Sequence, residues 1–182
     1  MTSAQVMPDI YRPLVEKCQK GDKRAQEELY KALSGKMYAV CLRYVGKNDA
    51  EDVLQEGFVT LFEKLGSFKS EGSFEGWARR VFTTTALMFL RKNDVLKHSE
   101  DITEAYTLFA KEPEPASALS YQEILKIMES MPPLLKTVFN LATIDDFSHK
   151  EIAKVLGITE EASRASLSRA RAWLKARIKY EK

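Results

Sequence analysis

The chain has 182 residues, of which 45% are hydrophobic and 30% charged, and its formal net charge is +2, so it accommodates one medium-sized domain or two small ones. Cys18 and Cys41 are its only cysteines and lack CxxC spacing, which argues against a disulfide framework or a zinc site and predicts two small buried side chains. No apolar run approaches the roughly 18 residues of a membrane span, and Pro8, Asp9 and Arg12 interrupt the region where a signal peptide would be apolar, so we expect a cytoplasmic protein.

The first half of the chain predicts helices, because its apolar residues recur at intervals of three and four. Asp22 is placed to cap the first clear helix. A second helix follows in "KNDAEDVLQEGFVTLFEKL", where Glu51 and Asp52 lie favourably in the first turn. Ser73 is placed to cap a third helix, which we expect to run to about Lys92.

The third helix begins with "GSFEGWARRVFTTT", residues 72–85. This stretch combines aromatic side chains, which favour burial, with two arginines and three threonines, which favour an exposed face. We interpret Phe74, Trp77 and Val81 as core side chains. The polar residues between them form a candidate functional face.

Residues 94–117 differ in composition from what precedes them. Acidic residues outnumber basic ones, and "KEPEPAS" alternates proline with glutamate. Proline disfavours helix in the residue before it, and the like charges repel each other. The composition predicts a flexible acidic linker between two small helical domains, residues 1–93 and 118–182.

The second domain contains the pattern of a helix-turn-helix. The short predicted helix "HKEIAKVL" follows Ser148, the turn "GIT" contains Gly157, and Thr159 is placed to cap a long final helix. Gly157 accommodates the positive φ that such a turn requires.

One face of the final helix is basic. From residue 162 to residue 180 every charged side chain is positive, whereas a solvated helix face usually carries both signs as i,i+4 pairs. Leu167, Ala170, Leu174 and Ile178 fall together on one apolar side, and the basic face lies on an adjacent stripe. The pattern indicates DNA binding, with the first turns of the helix in the major groove and the later cations on phosphates.

The chain resembles the extracytoplasmic-function (ECF) group of bacterial RNA polymerase sigma factors over nearly its whole length. The segment "DAEDVLQEGFVTLFEKLGSF" resembles the polymerase-binding helix of sigma region 2, and "GSFEGWARRVFTTTALMFLRK" the promoter-melting helix of that region. The segment "MPPLLKTVFNLATIDDFSHKEIAKVLGITEEASRASLSRAR" resembles sigma region 4. The resemblance implies a transcription initiation factor that binds core RNA polymerase, recognises the −10 and −35 promoter elements and helps to open the DNA.

The resemblance also implies roles for particular positions of this chain. Contact with the largest polymerase subunits would involve Asp52, Gln55, Glu56 and Phe58. Recognition and melting of the −10 element would involve Ser70, Gly72, Ser73, Trp77, Arg79, Arg80, Thr83 and Thr84. Recognition of the −35 element would involve Thr159, Arg164, Ala165, Ser168, Arg169, Arg171 and Lys175. A further implied partner is an anti-sigma factor that holds the protein inactive.

Four positions depart from the family pattern. Thr83 and Thr84 stand where arginine and asparagine are usual, and we expect their hydroxyls to face a base. Ser163 stands where an apolar residue normally packs into the domain, and Ser166 where arginine is common, which predicts a weaker helix–helix core.

His149 fits no metal or catalytic arrangement, and we expect it to be solvated.

Two other classes of function make different predictions for the sequence. A helix-turn-helix regulator with an N-terminal sensing domain would predict homodimers and palindromic sites, and nothing in the sequence indicates a dimer seam. An enzyme would need a glycine-rich phosphate loop, a metal-ligand cluster or a nucleophile motif, and the sequence contains none. We therefore expect neither catalysis, a metal nor a cofactor.

The linker generates the first prediction. Limited proteolysis of the full chain is expected to cut between residues 94 and 117, because an extended acidic segment with two prolines offers accessible backbone. The fragments are identified by mass spectrometry. Resistance of this segment equal to that of the helices would contradict an open linker.

Overall fold

The computed structural model describes residues 10–69, 72–93 and 126–180, and over these ranges the chain is helical without a β-strand, which confirms the all-α prediction. Ser70 and the predicted linker lie outside the described residues. The chain divides into two compact units, Met1–Ala86 and Leu87–Lys182, and the division falls inside the fourth helix. The α-helices are α1 Arg12–Gln19, α2 Lys23–Val45, α3 Ala50–Lys64, α4 Phe74–Lys92, α5 Pro133–Thr143, α6 His149–Leu156 and α7 Glu160–Tyr180.

The first unit is built on α2. Asp22 caps this helix as predicted, because its Oδ1 accepts hydrogen bonds from the backbone N–H of Arg24 at 2.9 Å and of Ala25 at 3.2 Å. Leu29, Leu33 and Met37 are fully buried along one side of α2, and this stripe contributes the centre of the core.

Both cysteines are buried in the first unit, as predicted. Burial raises the pKa of the Cys41 thiol to about 12. Burial is also the main reason why the pKa of Cys18 is raised, with a smaller contribution from Asp22. Both thiols therefore stay protonated at neutral pH and act as small apolar side chains.

The helices α3 and α4 approach each other closely at Gly57. A Cβ atom at this position would lie 2.4 Å from Cδ1 and from Cε1 of Phe82. The Phe82 ring is fully buried and packs edge-on against Phe58, with 5.0 Å between ring centroids. Only glycine therefore allows α4 to lie against α3 at this distance.

The second unit has its core between α5 and α7. Trp173 lies at its centre and is almost completely buried. The guanidinium carbon of Arg177 lies 3.7 Å from the centroid of the Trp173 ring, within the range of a cation–π contact. The buried residues that pack with Trp173 are Ile127, Met131, Leu135 and Ala170.

The helix-turn-helix forms as predicted from its caps. The Glu151 N–H donates to Ser148 Oγ at 3.3 Å, and the Ser148 N–H donates to Glu151 Oε2 at 2.9 Å, which together make a capping box at the start of α6. Gly157 ends α6 in the left-handed region with φ of 72°. The Ala162 N–H donates to Thr159 Oγ1 at 3.1 Å and so caps α7.

The packing at Gly57 generates the second prediction. Gly57→Ala is expected to lower the free energy of unfolding by about 1–3 kcal/mol, because the added methyl group overpacks a buried ring. Gly35→Ala is the matched control, because Gly35 lies exposed in the middle of α2 with no neighbouring atom within 4 Å of an added Cβ.

The control is expected to be neutral or to stabilise the protein by up to about 1 kcal/mol, since alanine favours helix more than glycine does. Chemical denaturation followed by circular dichroism measures both changes. Equal stability of the two variants would contradict the close contact between α3 and α4.

Candidate nucleic-acid and polymerase interfaces

The basic face predicted for α7 is exposed in the structure. Its members recur every three or four residues and point away from the buried side, which contains Leu167, Ala170 and Trp173. Arg169 lies at the border of this face and is half-buried. The exposed side chains are Arg164, Ala165, Ser168, Arg171 and Lys175, and Thr159 is exposed just before the helix.

Arg164 is held by an ion pair within the first turn of α7. One terminal nitrogen of its guanidinium lies 3.0 Å from Glu160 Oε2. Both side chains are substantially exposed, so the pair contributes little to stability. It does orient the guanidinium along the first turn of α7, the part that enters the major groove in a recognition helix.

The predicted weak point between α6 and α7 is a polar contact. Ser163 is fully buried, and its Oγ lies 2.8 Å from Nδ1 of His149, within hydrogen-bonding distance. His149 is half-buried, so the expectation that it is simply solvated is wrong. The hydrogen bond satisfies a hydroxyl that would otherwise be costly to bury. Ser166 is also buried.

Three aromatic rings meet at the start of α4. Phe74 is fully buried, and its ring centroid lies 5.1 Å from that of Phe68 and 5.6 Å from that of Trp77. The core interpretation holds for Phe74, whereas Trp77 is half-exposed. Gly72 and Ser73, which precede Phe74 in the chain, are exposed. The Gly76 N–H donates to Ser73 Oγ at 3.3 Å, which confirms Ser73 as a cap.

Two cations meet at Glu75 on the first turn of α4. Lys36 Nζ lies 2.6 Å from Glu75 Oε2, and a terminal nitrogen of Arg79 lies 3.4 Å from Glu75 Oε1. Hydrogen bonds to Glu75 and then to Tyr11 raise the pKa of the Lys36 ammonium. The pair between Lys36 and Glu75 ties α4 to α2, and Arg80 follows on the exposed side.

The two threonines of α4 differ in their environment. Thr83 is fully buried, so the expectation that its hydroxyl faces a base is wrong: the residue points into the helix packing. Thr84 is half-exposed, and its hydroxyl donates to the Arg80 carbonyl at 2.8 Å. A hydroxyl that donates to the preceding turn keeps its oxygen as an acceptor.

The exposed side of α3 is acidic at its start and apolar further on. Asp52 is exposed one turn before Gln55 and Glu56, which are exposed as well. Val59 continues the same line with 59% of its surface exposed. Val59 is not among the contact residues predicted from the sequence, although it follows Gln55 by four residues and therefore shares its face. These four residues are called the α3 face below.

Phe58 does not belong to the α3 face. Its ring is buried and packs against Tyr30 at 4.4 Å and Phe82 at 5.0 Å between centroids. The expectation that Phe58 contacts the polymerase is therefore wrong. Its place is inside the unit, where it supports the helices that carry the exposed residues.

Two family models match the chain. The model described as Sigma-70 region 2 matches residues 29–95, and the model described as Sigma-70, region 4 matches residues 121–174. Their order along the chain is the order expected from the sequence motifs. The chain belongs to the sigma-70 family. The match of region 2 to residues 29–95 favours a sigma factor over the alternative of a regulator with an N-terminal sensing domain.

Relatives in other bacteria are ECF factors of this family. The sigma factor is 27% identical over 176 residues to the ECF RNA polymerase sigma-E factor of Haemophilus influenzae, covering 91% of this chain and 93% of that protein. It is 28% identical over 169 residues to the sigma-E factor of Escherichia coli K12, covering 87% and 88%. The chain is therefore an ECF sigma factor, a transcription initiation factor that directs RNA polymerase to promoters.

Solved structures share its fold. The sigma factor RpoE, in a co-crystal structure with the anti-sigma factor NepR from Bartonella quintana, has a TM-score of 0.54 and 18% identity, covering 86% of this chain and 98% of that one. CnrH, in complex with the cytosolic domain of CnrY, has a TM-score of 0.53 and 21% identity, covering 94% and 98%. Within the described ranges, no helix of the sigma factor is long and apolar enough to span a membrane.

Proposed function

We propose that this sigma factor divides promoter recognition among three exposed faces. The face of α7 reads the −35 element, the start of α4 receives the melted −10 strand, and the α3 face grips core polymerase. The observation that carries the proposal is the basic face of α7, which is exposed opposite a buried apolar side. The protein acts in the cytoplasm without catalysing a reaction, as two domains, 1–93 and 118–182, joined by the acidic linker.

The −35 contact is supported by the order of side chains along α7. Arg164 lies in the first turns, where a recognition helix meets base edges, and a guanidinium is suited to the acceptors of guanine. Lys175 lies three turns further on, where only the phosphate backbone is within reach. Ala165 and Ala172 keep the surface between the cations shallow, so the helix can lie deep in the groove.

The −10 contact is supported by the surroundings of Trp77. Its half-exposed ring belongs to the residue one turn after the exposed Ser73, whose carbonyl accepts from the Trp77 N–H at 3.0 Å. The start of α4 thus offers a stacking surface and small polar groups. Arg79 and Arg80 supply cations for phosphates, and stacking on aromatic rings with nearby cations is how proteins hold single-stranded bases. Extruding a base from the duplex costs a few kcal/mol, and contacts with the protein offset that cost.

The polymerase contact is supported by the composition of the α3 face. Two carboxylates, an amide and the exposed Val59 lie on one line of the helix. Acidic groups beside an apolar group complement a partner helix that is basic and partly apolar, and such complementarity favours specific association. The largest polymerase subunits are the proposed partner. Although Phe58 is buried in the core, the α3 face still has an apolar part, which Val59 supplies.

An anti-sigma protein is the proposed regulator. Both neighbouring structures are complexes, RpoE with an anti-sigma factor and CnrH with the cytosolic domain of CnrY. Such a protein would cover exposed faces that otherwise contact polymerase or DNA. Co-purification of the sigma factor with a protein that suppresses its transcription tests this partner.

The polymerase contact generates the third prediction. The triple variant Asp52→Ala, Gln55→Ala, Glu56→Ala is expected to bind core polymerase at least tenfold more weakly, because a tenfold loss corresponds to about 1.4 kcal/mol over three exposed contacts. Its free energy of unfolding is expected to change by only about 0.5 kcal/mol per site. A pull-down titration with core enzyme measures binding, and Glu28→Ala, an exposed acid on α2, is the control. Unchanged capture of core polymerase by the triple variant would rule out the α3 face.

The different positions of Arg164 and Lys175 along α7 generate the fourth prediction. Arg164→Ala is expected to cost about 1–3 kcal/mol on the correct −35 element and to relax the preference at one or two base pairs. Lys175→Ala is expected to weaken binding to all sequences alike and to lower the salt dependence by about one phosphate contact.

Transcription with core enzyme on genomic fragments first defines the promoter. Both variants are then titrated as holoenzyme against correct and altered −35 elements at several salt concentrations. If Arg164→Ala lowers the affinity for correct and altered −35 elements equally, the docking proposed for α7 is wrong.

A further inference from the structure

The hydrogen bond between His149 and Ser163 joins the two helices of the helix-turn-helix. His149 is the first residue of α6, and Ser163 lies in the first turn of α7. The Ser163 N–H also donates to the Thr159 carbonyl at 3.0 Å, so the backbone around the serine is held in the helix from its start. The side-chain contact of 2.8 Å is thus made at a rigid point of α7.

A hydrogen bond at this point constrains the helices differently from an apolar contact. Dispersion and hydrophobic contacts are nearly non-directional, and two smooth helices can rotate slightly against each other without losing them. A hydrogen bond weakens steeply when its distance or angle changes. Because Ser163 is fully buried, water cannot take the place of the histidine without opening the interface.

The next residue along α7 is Arg164, which the proposed function places on base edges. Successive residues of a helix point about 100° apart, so any rotation of α7 that moves the Ser163 hydroxyl also swings the long Arg164 side chain. A small rotation at the helix axis becomes a larger displacement at the guanidinium. The contact inside the domain therefore controls the position of a group outside it.

We propose that His149 is a positioning residue for −35 recognition: through the Ser163 hydroxyl it fixes the rotation of α7 and thereby the place where Arg164 meets the bases. This inference rests on the proposed function of α7. A serine hydroxyl both donates and accepts, so the contact forms with either neutral tautomer of the imidazole and with the protonated ring. The role is one of geometry.

The test compares two substitutions of the histidine, asparagine and leucine, which are nearly isosteric with each other. In His149→Asn the amide places a polar atom close to the former position of Nδ1, whereas His149→Leu removes it. Ser163→Ala removes the other partner with little change in volume. Holoenzyme made with each full-length variant is titrated on the correct promoter and on one with an altered −35 element, and the ratio of the two affinities is the readout.

The ratio is expected to fall about three- to tenfold in Ser163→Ala and in His149→Leu, which corresponds to about 0.65–1.4 kcal/mol and lies within the range of a net hydrogen bond. His149→Asn is expected to stay within about twofold of the unmodified protein. The double variant of Ser163→Ala with His149→Leu is expected to lose no more than either single one, because both remove the same contact.

Two controls separate the possible causes. Circular dichroism at the assay temperature confirms that each variant is folded, and capture of core polymerase, made by the other unit, is expected to be unchanged. A lower melting temperature with an unchanged affinity ratio would show a merely structural contact and overturn the proposal. Equal behaviour of His149→Asn and His149→Leu would overturn it too.

Arg164→Ala distinguishes failure of this inference from failure of the proposed function. If Arg164→Ala loses discrimination while Ser163→Ala keeps it, α7 reads the promoter without the help of His149. If Arg164→Ala and the unmodified holoenzyme discriminate equally, α7 does not read the −35 element through Arg164, and the proposed function itself is overturned.

Discussion

The close approach of α3 and α4 at Gly57 is the contact on which the first unit depends. With no side chain at that position, the Phe82 ring lies directly on the α3 backbone, and Phe58 closes against its edge. The two helices then expose their remaining sides, one acidic and one cationic, in fixed positions. Close packing makes this arrangement rigid, because protein interiors have few voids into which a displaced ring can move.

Much of this fold could be predicted because its signals are local. The side chains of Asp22, Ser73, Ser148 and Thr159 each accept a hydrogen bond from the backbone of the helix they precede, and capping depends on only a few neighbouring residues. The exposed face of α7 was also predicted, because a long helix with one buried side has a periodic pattern.

The errors arose where a polar residue faces a neighbouring helix. Thr83 and Thr85 are both buried, and the Thr85 hydroxyl donates to the Val81 carbonyl at 3.0 Å. A threonine that bonds to its own helix needs no solvent, so its polarity does not reveal which way it points. Phe58 lies at helical spacing from Leu54, Leu61 and Leu65, so its burial follows the apolar stripe of α3. The contact between His149 and Ser163 depends on how α6 and α7 cross, which the spacing of residues within one helix does not give. The assignments on α4, α7 and the α3 face remain proposals.

The carboxylates beside the proposed DNA-binding arginines have a kinetic consequence. Arg79 is paired with Glu75, and Arg164 with Glu160, so each guanidinium presents a weakened field to a distant phosphate. At a range beyond about 10 Å such a pair acts as a dipole whose attraction is largely screened by salt. Each paired arginine therefore contributes less to the electrostatic steering of nucleic acid toward the protein than an unpaired cation would.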